Sequence, residues 1–157
     1  MSRNRKYFPL FVNIEEKEIV VVGGGTIASR RIRTLLPFCS HLTVVAPEAS
    51  EMIRELAAEG SLVWKQEKYT RDSLRYADMV LACTDDPKVN SEIYSVCKCL
   101  GIQVNVCSDR RKCDFYFPGV ASRGSVVVGV TAGGTDHRKA RQIREKIEKL
   151  LEEEDHE

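Results

Sequence analysis

A surplus of charge of either sign is missing from this chain: 24 lysines and arginines stand against 23 aspartates and glutamates in 157 residues. Without a basic field to steer a polyanion, nucleic acid is not an expected partner, and anion binding is left to local clusters. Long apolar runs are missing too. No stretch approaches the ~20 residues of a membrane-spanning helix, and the start, Met1-Ser2-Arg3-Asn4-Arg5-Lys6, has no apolar signal-peptide core. No membrane partner and a cytoplasmic location are therefore expected. Cysteines at metal-binding spacing are the third absence. Six occur, at 39, 83, 97, 99, 107 and 113, without a Cys-x-x-Cys pair, and the histidines His41, His137 and His156 are scattered. Cys97 and Cys99 are two apart and point to different sides of a helix, so no metal site is expected. Cys83, Cys97 and Cys107 read as small hydrophobes at strand ends or on a helix face.

What is present is enough apolar residue, 43%, for a real core, and one domain over residues 1–157 is expected. Apolar, β-rich runs alternate with helical patterns, the mark of a parallel sheet covered on both faces. The strands read as Ile19 to Val22, Leu42 to Val45, Leu62 to Lys65, Met79 to Cys83, Val104 to Cys107 and Val126 to Val130. Helices read as Ile27 to Leu36, Ser50 to Glu59 and Val89 to Leu100, stopped by Pro37, Gly60 and Gly101, with a short turn near Arg71 to Tyr76. A last helix from about Asp136 carries Ala140, Ile143, Ile147, Leu150 and Leu151 on one stripe. The expected fold is thus α/β, a Rossmann-type doubly wound parallel sheet of six strands with a C-terminal helix. The connection from Ser108 to Ser125 is long for such a fold and holds Phe115-Tyr116-Phe117-Pro118, and loops of that kind usually carry function.

Gly23-Gly24-Gly25-Thr26-Ile27-Ala28 follows the first strand directly. It reads as a Gly-x-Gly-x-x-Ala turn of a dinucleotide-binding βα unit: Gly23 makes the tight turn, Gly25 lets backbone approach a pyrophosphate, and Ala28 lets helix and strand pack closely. The helix start behind it offers N–H groups and a positive dipole end to phosphate. Many NAD enzymes place an acid on the adenosine ribose at the end of the second strand. Here that place is Ala46, and ribose contacts must come from backbone near Pro47 or from Glu48. No arginine stands at 46–50 to hold a 2′-phosphate, which favours NAD over NADP.

Three further clusters fall at strand ends. Thr84-Asp85-Asp86 reads as ribose or nicotinamide contacts, or as the N-cap of the next helix. Ser108-Asp109-Arg110-Arg111-Lys112 sets a carboxylate able to take a proton beside cations able to hold an acidic substrate, or is a solvated charged loop. Thr131-Ala132-Gly133-Gly134-Thr135, before His137, Arg138, Lys139 and Arg141, is a nest that binds carboxylate or phosphate, or only a turn into a helix.

Taken in order, Tyr7-Phe8-Pro9-Leu10-Phe11, Val20-Val21-Val22-Gly23-Gly24-Gly25, Val44-Val45-Ala46-Pro47, Thr84-Asp85-Asp86 with Val89-Asn90, Val104-Asn105-Val106, Phe115-Tyr116-Phe117-Pro118 with Ser122-Arg123-Gly124, and Gly133-Gly134-Thr135 with Ala140-Arg141 form one pattern. It resembles the siroheme synthase N-terminal family, the precorrin-2 dehydrogenases, over roughly residues 7–151. The resemblance implies NAD-dependent oxidation of precorrin-2 to sirohydrochlorin, with ferrous iron insertion in bifunctional members. It sets Thr26, Ile27, Pro47 and Glu48 at the cofactor, and it fits a macrocycle of many carboxylates to Arg110, Arg111, Arg123, Arg138 and Arg141. Family members commonly carry an aspartate where this chain has Ser108. Either Asp109 takes over that role from the next position, or the role is weakened and iron insertion with it. His137 brings an imidazole to a place where the family often has Ser-Pro. The helical dimerisation domain of longer members is expected to be absent. Pairing into a homodimer, with a separate chelatase a further partner, is the expected way of completing a pocket for so large a substrate. A nucleotide-binding regulatory or tetrapyrrole-handling module without catalysis is the alternative to the enzyme.

Overall fold

A computed structural model of the protein describes residues 7–154; Met1 to Lys6 and the residues after Glu154, His156 among them, lie outside this range. In chain order the elements are β1 Glu18–Val22, α1 Thr26–Leu35, β2 His41–Val45, α2 Glu51–Ala58, β3 Val63–Lys65, β4 Met79–Ala82, α3 Pro87–Leu100, β5 Gln103–Val106, β6 Gly119–Arg123, β7 Val126–Val130 and α4 His137–Glu154. Short 3-10 turns fall at Leu36–Phe38, Arg71–Leu74 and Arg110–Lys112. None of the described helices is long and apolar enough to cross a membrane.

Residues 13–115 form one compact unit. Its five strands are all parallel, in the order β3-β2-β1-β4-β5, so the chain reverses its direction of travel across the sheet between β1 and β4. Both faces of the central strands are covered, which is why they read as unbroken apolar runs: Ile19 to Val22, Val44, Val45, Val80 to Ala82, Val104 and Val106 are buried. The helices answer with their own stripes, Ala28, Ile32 and Leu35 on α1, Ile53 on α2, and Ile93 with Cys97 on α3. Each such side chain withdrawn from water stabilises the unit by about 1.5–3 kcal/mol before chain entropy is counted.

Among the described residues, the second unit comprises 7–12 and 116–154. Here β6 and β7 pair antiparallel, Arg123 opposite Val126, and α4 packs on both. Gly124, at φ +56°, opens the two-residue turn between them, a position where such turns need positive φ. Val126 to Val130 is therefore not a sixth strand of the parallel sheet. Its valines are exposed or half-buried, because one face of a two-stranded ribbon stays open to water, and β6 is a strand inside what reads as a loop. The last hairpin closes on α4 instead of extending the sheet. On α4, Ala140, Ile147 and Leu151 are half-buried while Ile143 and Leu150 remain exposed.

Candidate functional site

In an open parallel sheet the crevice for a ligand lies beyond the carboxyl ends of the strands, where the strand order reverses. Gly23 stands there, immediately after β1. Its N–H donates to Val45 O at 3.0 Å, tying the turn to β2. Its φ is +117°, and a Cβ would lie 2.4 Å from Cys83 O at the end of β4. A side chain at Gly24 would meet Glu48 O at 2.3 Å, because the loop after β2 folds onto the turn through Ser50 N donating to Gly24 O at 2.9 Å. Gly25 differs from both: nothing lies within 4 Å of where its Cβ would stand. It is the N-cap of α1, with no side chain accepting from the helix start and no acid in the first turn. The open space and the uncapped donors fit a pyrophosphate. Ala28 is fully buried, as close helix–strand packing requires. Ile27 is exposed beside Thr26 in the first turn, where apolar contact with a bound nucleotide is open to it.

At the end of β2, Ala46 is buried and its backbone is spoken for. Its N–H donates to Lys65 O at 3.2 Å and its carbonyl accepts from Trp64 Nε1 at 2.9 Å. Pro47 has no N–H to give, so a ribose hydroxyl here is left the backbone beside Pro47 or the exposed Glu48 carboxylate. Ser50 caps α2 through Ile53 N at 3.4 Å, and its Oγ lies 2.7 Å from Ser29 Oγ on α1, which joins the two helix starts around the turn.

The two readings of Thr84-Asp85-Asp86 divide between residues. Asp86 is the N-cap, its Oδ1 accepting from Lys88 N at 2.8 Å, and Pro87 fills the first helical position. Asp85 is exposed. Thr84 is held by a residue not singled out as functional from its type and spacing, Asn90, which is 1% exposed. Asn90 Oδ1 accepts from Thr84 N at 3.2 Å and Thr84 Oγ1 at 2.6 Å, while its Nδ2 donates to Thr84 O at 3.0 Å and Ser108 Oγ at 3.1 Å. One buried amide thus fastens the ends of β4 and β5 together. A second, Asn105, accepts from Arg31 Nη1 and donates to Phe115 O at 2.8 Å. The signal for both is a polar residue inside an apolar period, which a buried amide with partners explains.

Ser108 thus sits at the crevice edge, accepting from Asn90. Asp109 next to it caps the 3-10 turn through Arg111 N at 3.0 Å, and its two oxygens take Arg111 Nε and Nη2, each at 3.1 Å. The hydrogen bonds from Arg111 hold the carboxyl below its usual range. Lys112 is engaged elsewhere, with Ser91 Oγ at 2.7 Å and over the Tyr94 ring. Arg110 is exposed. The larger unit therefore brings together every cofactor candidate with Ser108, Asp109, Arg110 and Arg111.

The other substrate candidates lie on the second unit. Gly133 and Gly134 both have positive φ, +66° and +71°, as a nest requires. The first turn of α4 already holds a carboxylate, Asp136 Oδ1 accepting from Lys139 N at 2.9 Å. His137 and Arg138 are exposed, Arg141 pairs with Glu145 at 2.8 Å, and Arg123 ends β6. Among the described residues no three His, Cys, Asp or Glu side chains gather as metal ligands.

Comparison with known proteins agrees with this geometry. The profile of a family described as putative NAD(P)-binding matches residues 10–119. The siroheme synthase of Nitrosococcus oceani is 34% identical over 146 residues, 93% of this chain and 31% of the synthase. Siroheme synthase 3 of Aeromonas hydrophila is 37% identical over 145 residues, 92% and 31% of the two chains. The chain thus spans about a third of the length of the curated relatives it matches. Among solved structures, SirC, a precorrin-2 dehydrogenase, superposes with a TM-score of 0.80 at 27% identity, covering 93% of this chain and 74% of that one. The chain belongs to this NAD(P)-binding family, within the siroheme synthase N-terminal family.

Proposed function

We propose that the chain is an NAD-dependent dehydrogenase that oxidises precorrin-2 to sirohydrochlorin in siroheme synthesis. The observation that carries this reading is the open Gly25 turn at the sheet's switch point; the likeness to SirC supplies the substrate. Bound NAD supplies a hydride acceptor. Gly23, Gly24 and Gly25 shape the cradle, Thr26 and Ile27 meet the dinucleotide at the helix start, Pro47 and Glu48 meet the ribose, and Thr84 and Asp85 meet the half nearer the reaction.

Losing a hydride leaves the macrocycle a proton to shed, and Asp109 and Ser108, just after β5, are the groups assigned to take it. Asp109 stays ionised at neutral pH, the state in which a carboxylate accepts a proton. Arg110 and Arg111 on the larger unit, and Arg123, Gly133, Gly134, His137, Arg138 and Arg141 on the smaller, are the candidates for the substrate's carboxylates. The Arg111 bonds to Asp109 also favour a second reading, a nucleotide-binding or tetrapyrrole-handling module without catalysis, because a carboxylate committed to a guanidinium is a weaker base. For the same reason iron insertion is expected to be residual at most and to fall to a separate chelatase. Six free cysteines suit a reducing, cytoplasmic setting.

Anaerobic turnover of precorrin-2 with NAD and with NADP, each with and without ferrous iron, tests the assignment. Reduced nicotinamide and sirohydrochlorin should appear together, faster with NAD and unaffected by iron. Binding of both ligands without turnover would instead select the module, and iron insertion well above the spontaneous rate would overturn the division of labour.

A further inference from the structure

Behind the crevice, β4 and β5 are each followed by a cysteine that the proposed reaction does not use. The last registered pair of the two strands is Ala82 with Val106, closed by Cys107 N donating to Ala82 O at 3.0 Å, and each partner is followed directly by a cysteine. Cys83 and Cys107 therefore leave the ends of neighbouring parallel strands in step, and Asn90 ties the next residues, Thr84 and Ser108, together. Such strands are about 4.8 Å apart, within the Cα separations of about 4.4–6.8 Å that disulfides span. The two thiols act on each other electrostatically as donor and acceptor, Cys83 to Cys107. Arg31 Nη1 lies 3.9 Å from Cys83 Sγ and adds positive charge. The accepted bond, helped by Arg31, draws Cys107 down to about 6, while the donated bond and burial push Cys83 up. Burial raises Cys39, Cys97 and Cys113. Cys107 is also partly exposed, as a reagent requires.

We propose that Cys83 and Cys107 are a reversible dithiol–disulfide pair oxidised by a hydroperoxide, and that closing it weakens dinucleotide binding at the adjacent glycine turn. The Cys107 thiolate attacks the peroxide, an S–O bond forming as O–O breaks, and the leaving group takes a proton, hydroxide from hydrogen peroxide becoming water and alkoxide from an alkyl hydroperoxide becoming an alcohol. The Cys83 sulfur then displaces oxygen from the sulfenic acid; the S–S bond forms and the oxygen leaves as water with the Cys83 proton. Two electrons pass from the pair to the peroxide, and a small dithiol returns them by exchange. Disulfide Cβ atoms lie about 3.8 Å apart, closer than neighbouring strands hold them, so closure must draw the end of β4 toward β5. Cys83 O is the atom against which Gly23 is packed, 2.4 Å from where a Cβ would stand, so the movement reaches the turn. The same strain makes the bond easy to reduce, which suits a sensor more than a structural staple.

The coupling rests on the dinucleotide reading; the thiol chemistry does not. The experiment treats the full reduced chain with hydrogen peroxide, maps linked peptides by mass, and measures NAD affinity by calorimetry before and after. A Cys83–Cys107 peptide two hydrogens lighter is expected, with Cys107 alkylated several-fold faster than Cys99, and NAD binding ~tenfold weaker after oxidation, restored by dithiothreitol. Cys107→Ser and Cys83→Ala should each remove the response, and Cys99→Ser should leave it intact. No link, or a link through other cysteines, overturns the pair, and unchanged NAD affinity in the linked protein overturns the coupling. A reduced chain that binds no NAD refutes the nucleotide site, while the peptide map still decides the pair.

Discussion

Gly25 escapes the steric demands that hold its two neighbours, and this separates ligand binding from folding at a single residue. At φ −90° with open space around a Cβ, Gly25→Val costs the free protein only a poorer N-cap, about 1 kcal/mol, while its side chain fills the space assigned to the pyrophosphate. NAD binding should be lost with the unfolding curve barely displaced, and a folded variant with wild-type calorimetric affinity would remove the site. Gly23→Ala should behave in the opposite way. Its positive φ and the approach to Cys83 O put ~1–3 kcal/mol of strain or more into the fold itself, visible as a lower denaturation midpoint. Asp109 makes the second residue-scale test. Asn keeps the size and the cap but cannot accept a proton, so Asp109→Asn should lower kcat strongly with NAD affinity little changed; a harmless Asp109→Asn beside a crippling Ser108→Ala would exchange their roles. The linkage has a definite sign. Arg111 lowers the folded pKa of Asp109, so its stabilising pairing is complete above the usual carboxylate range and lost as pH falls through the lowered value. Acid unfolding of the Asn variant should accordingly lack that step.

Among the elements, α3 does most to shape the crevice, through a residue whose type gives little notice of it. Asn90 sits in the period of Ile93 and Cys97, a core position, and satisfies Thr84 and Ser108 from inside. Asn90→Ala removes the four bonds to Thr84 and Ser108 and leaves the Thr84 hydroxyl only its contacts with Asp86, at about 1–3 kcal/mol, and frees two strand ends together. The expected result is a reduced urea midpoint together with reduced kcat; an unaltered midpoint would mean the clamp is idle. Trp64 acts on the other half of the sheet. Trp64→Phe removes the bond to Ala46 O, about 1 kcal/mol, and should raise KM for NAD with kcat nearly unchanged, because it loosens binding without touching the reaction. How much of this was legible follows from the kind of signal. The parallel strands announced themselves as apolar runs, since both their faces are covered, and helix ends at Gly101 and the Asp86-Pro87 start follow local backbone chemistry. The glycine turn was legible because its spacing has a steric cause. Asn90, Asn105 and Trp64 were not, because their partners lie far away in sequence. The hairpin was missed because Val126 to Val130 has the composition of a buried strand, and only Gly124 between two β-prone segments marks the turn.

For the whole molecule, the macrocyclic substrate of the proposed reaction needs enclosing, and the apolar surface bears on it. Ile143 and Leu150 are seven residues apart on α4, hence on one side, and are 41% and 55% exposed. The same unit exposes Phe8, Leu10 and Phe11, at 86%, 74% and 75%. Single exposed apolar side chains are ordinary, but several large ones in one small unit are proposed to serve an interaction. Symmetric pairing of identical chains is the commonest way for a soluble protein to cover such a surface, so a homodimer joined through this unit is predicted. Replacing Ile143 and Leu150 together by Glu tests it cleanly. Charge at exposed helix positions changes monomer stability by no more than about 0.5 kcal/mol, whereas two buried carboxylates at a dimer contact would split it. Light scattering should give twice the chain mass for the wild type and the single-chain mass for the double variant, with precorrin-2 turnover falling and NAD affinity kept. A wild type that scatters as a single chain at assay concentration while turning over fully would show that the apolar surface serves something other than pairing.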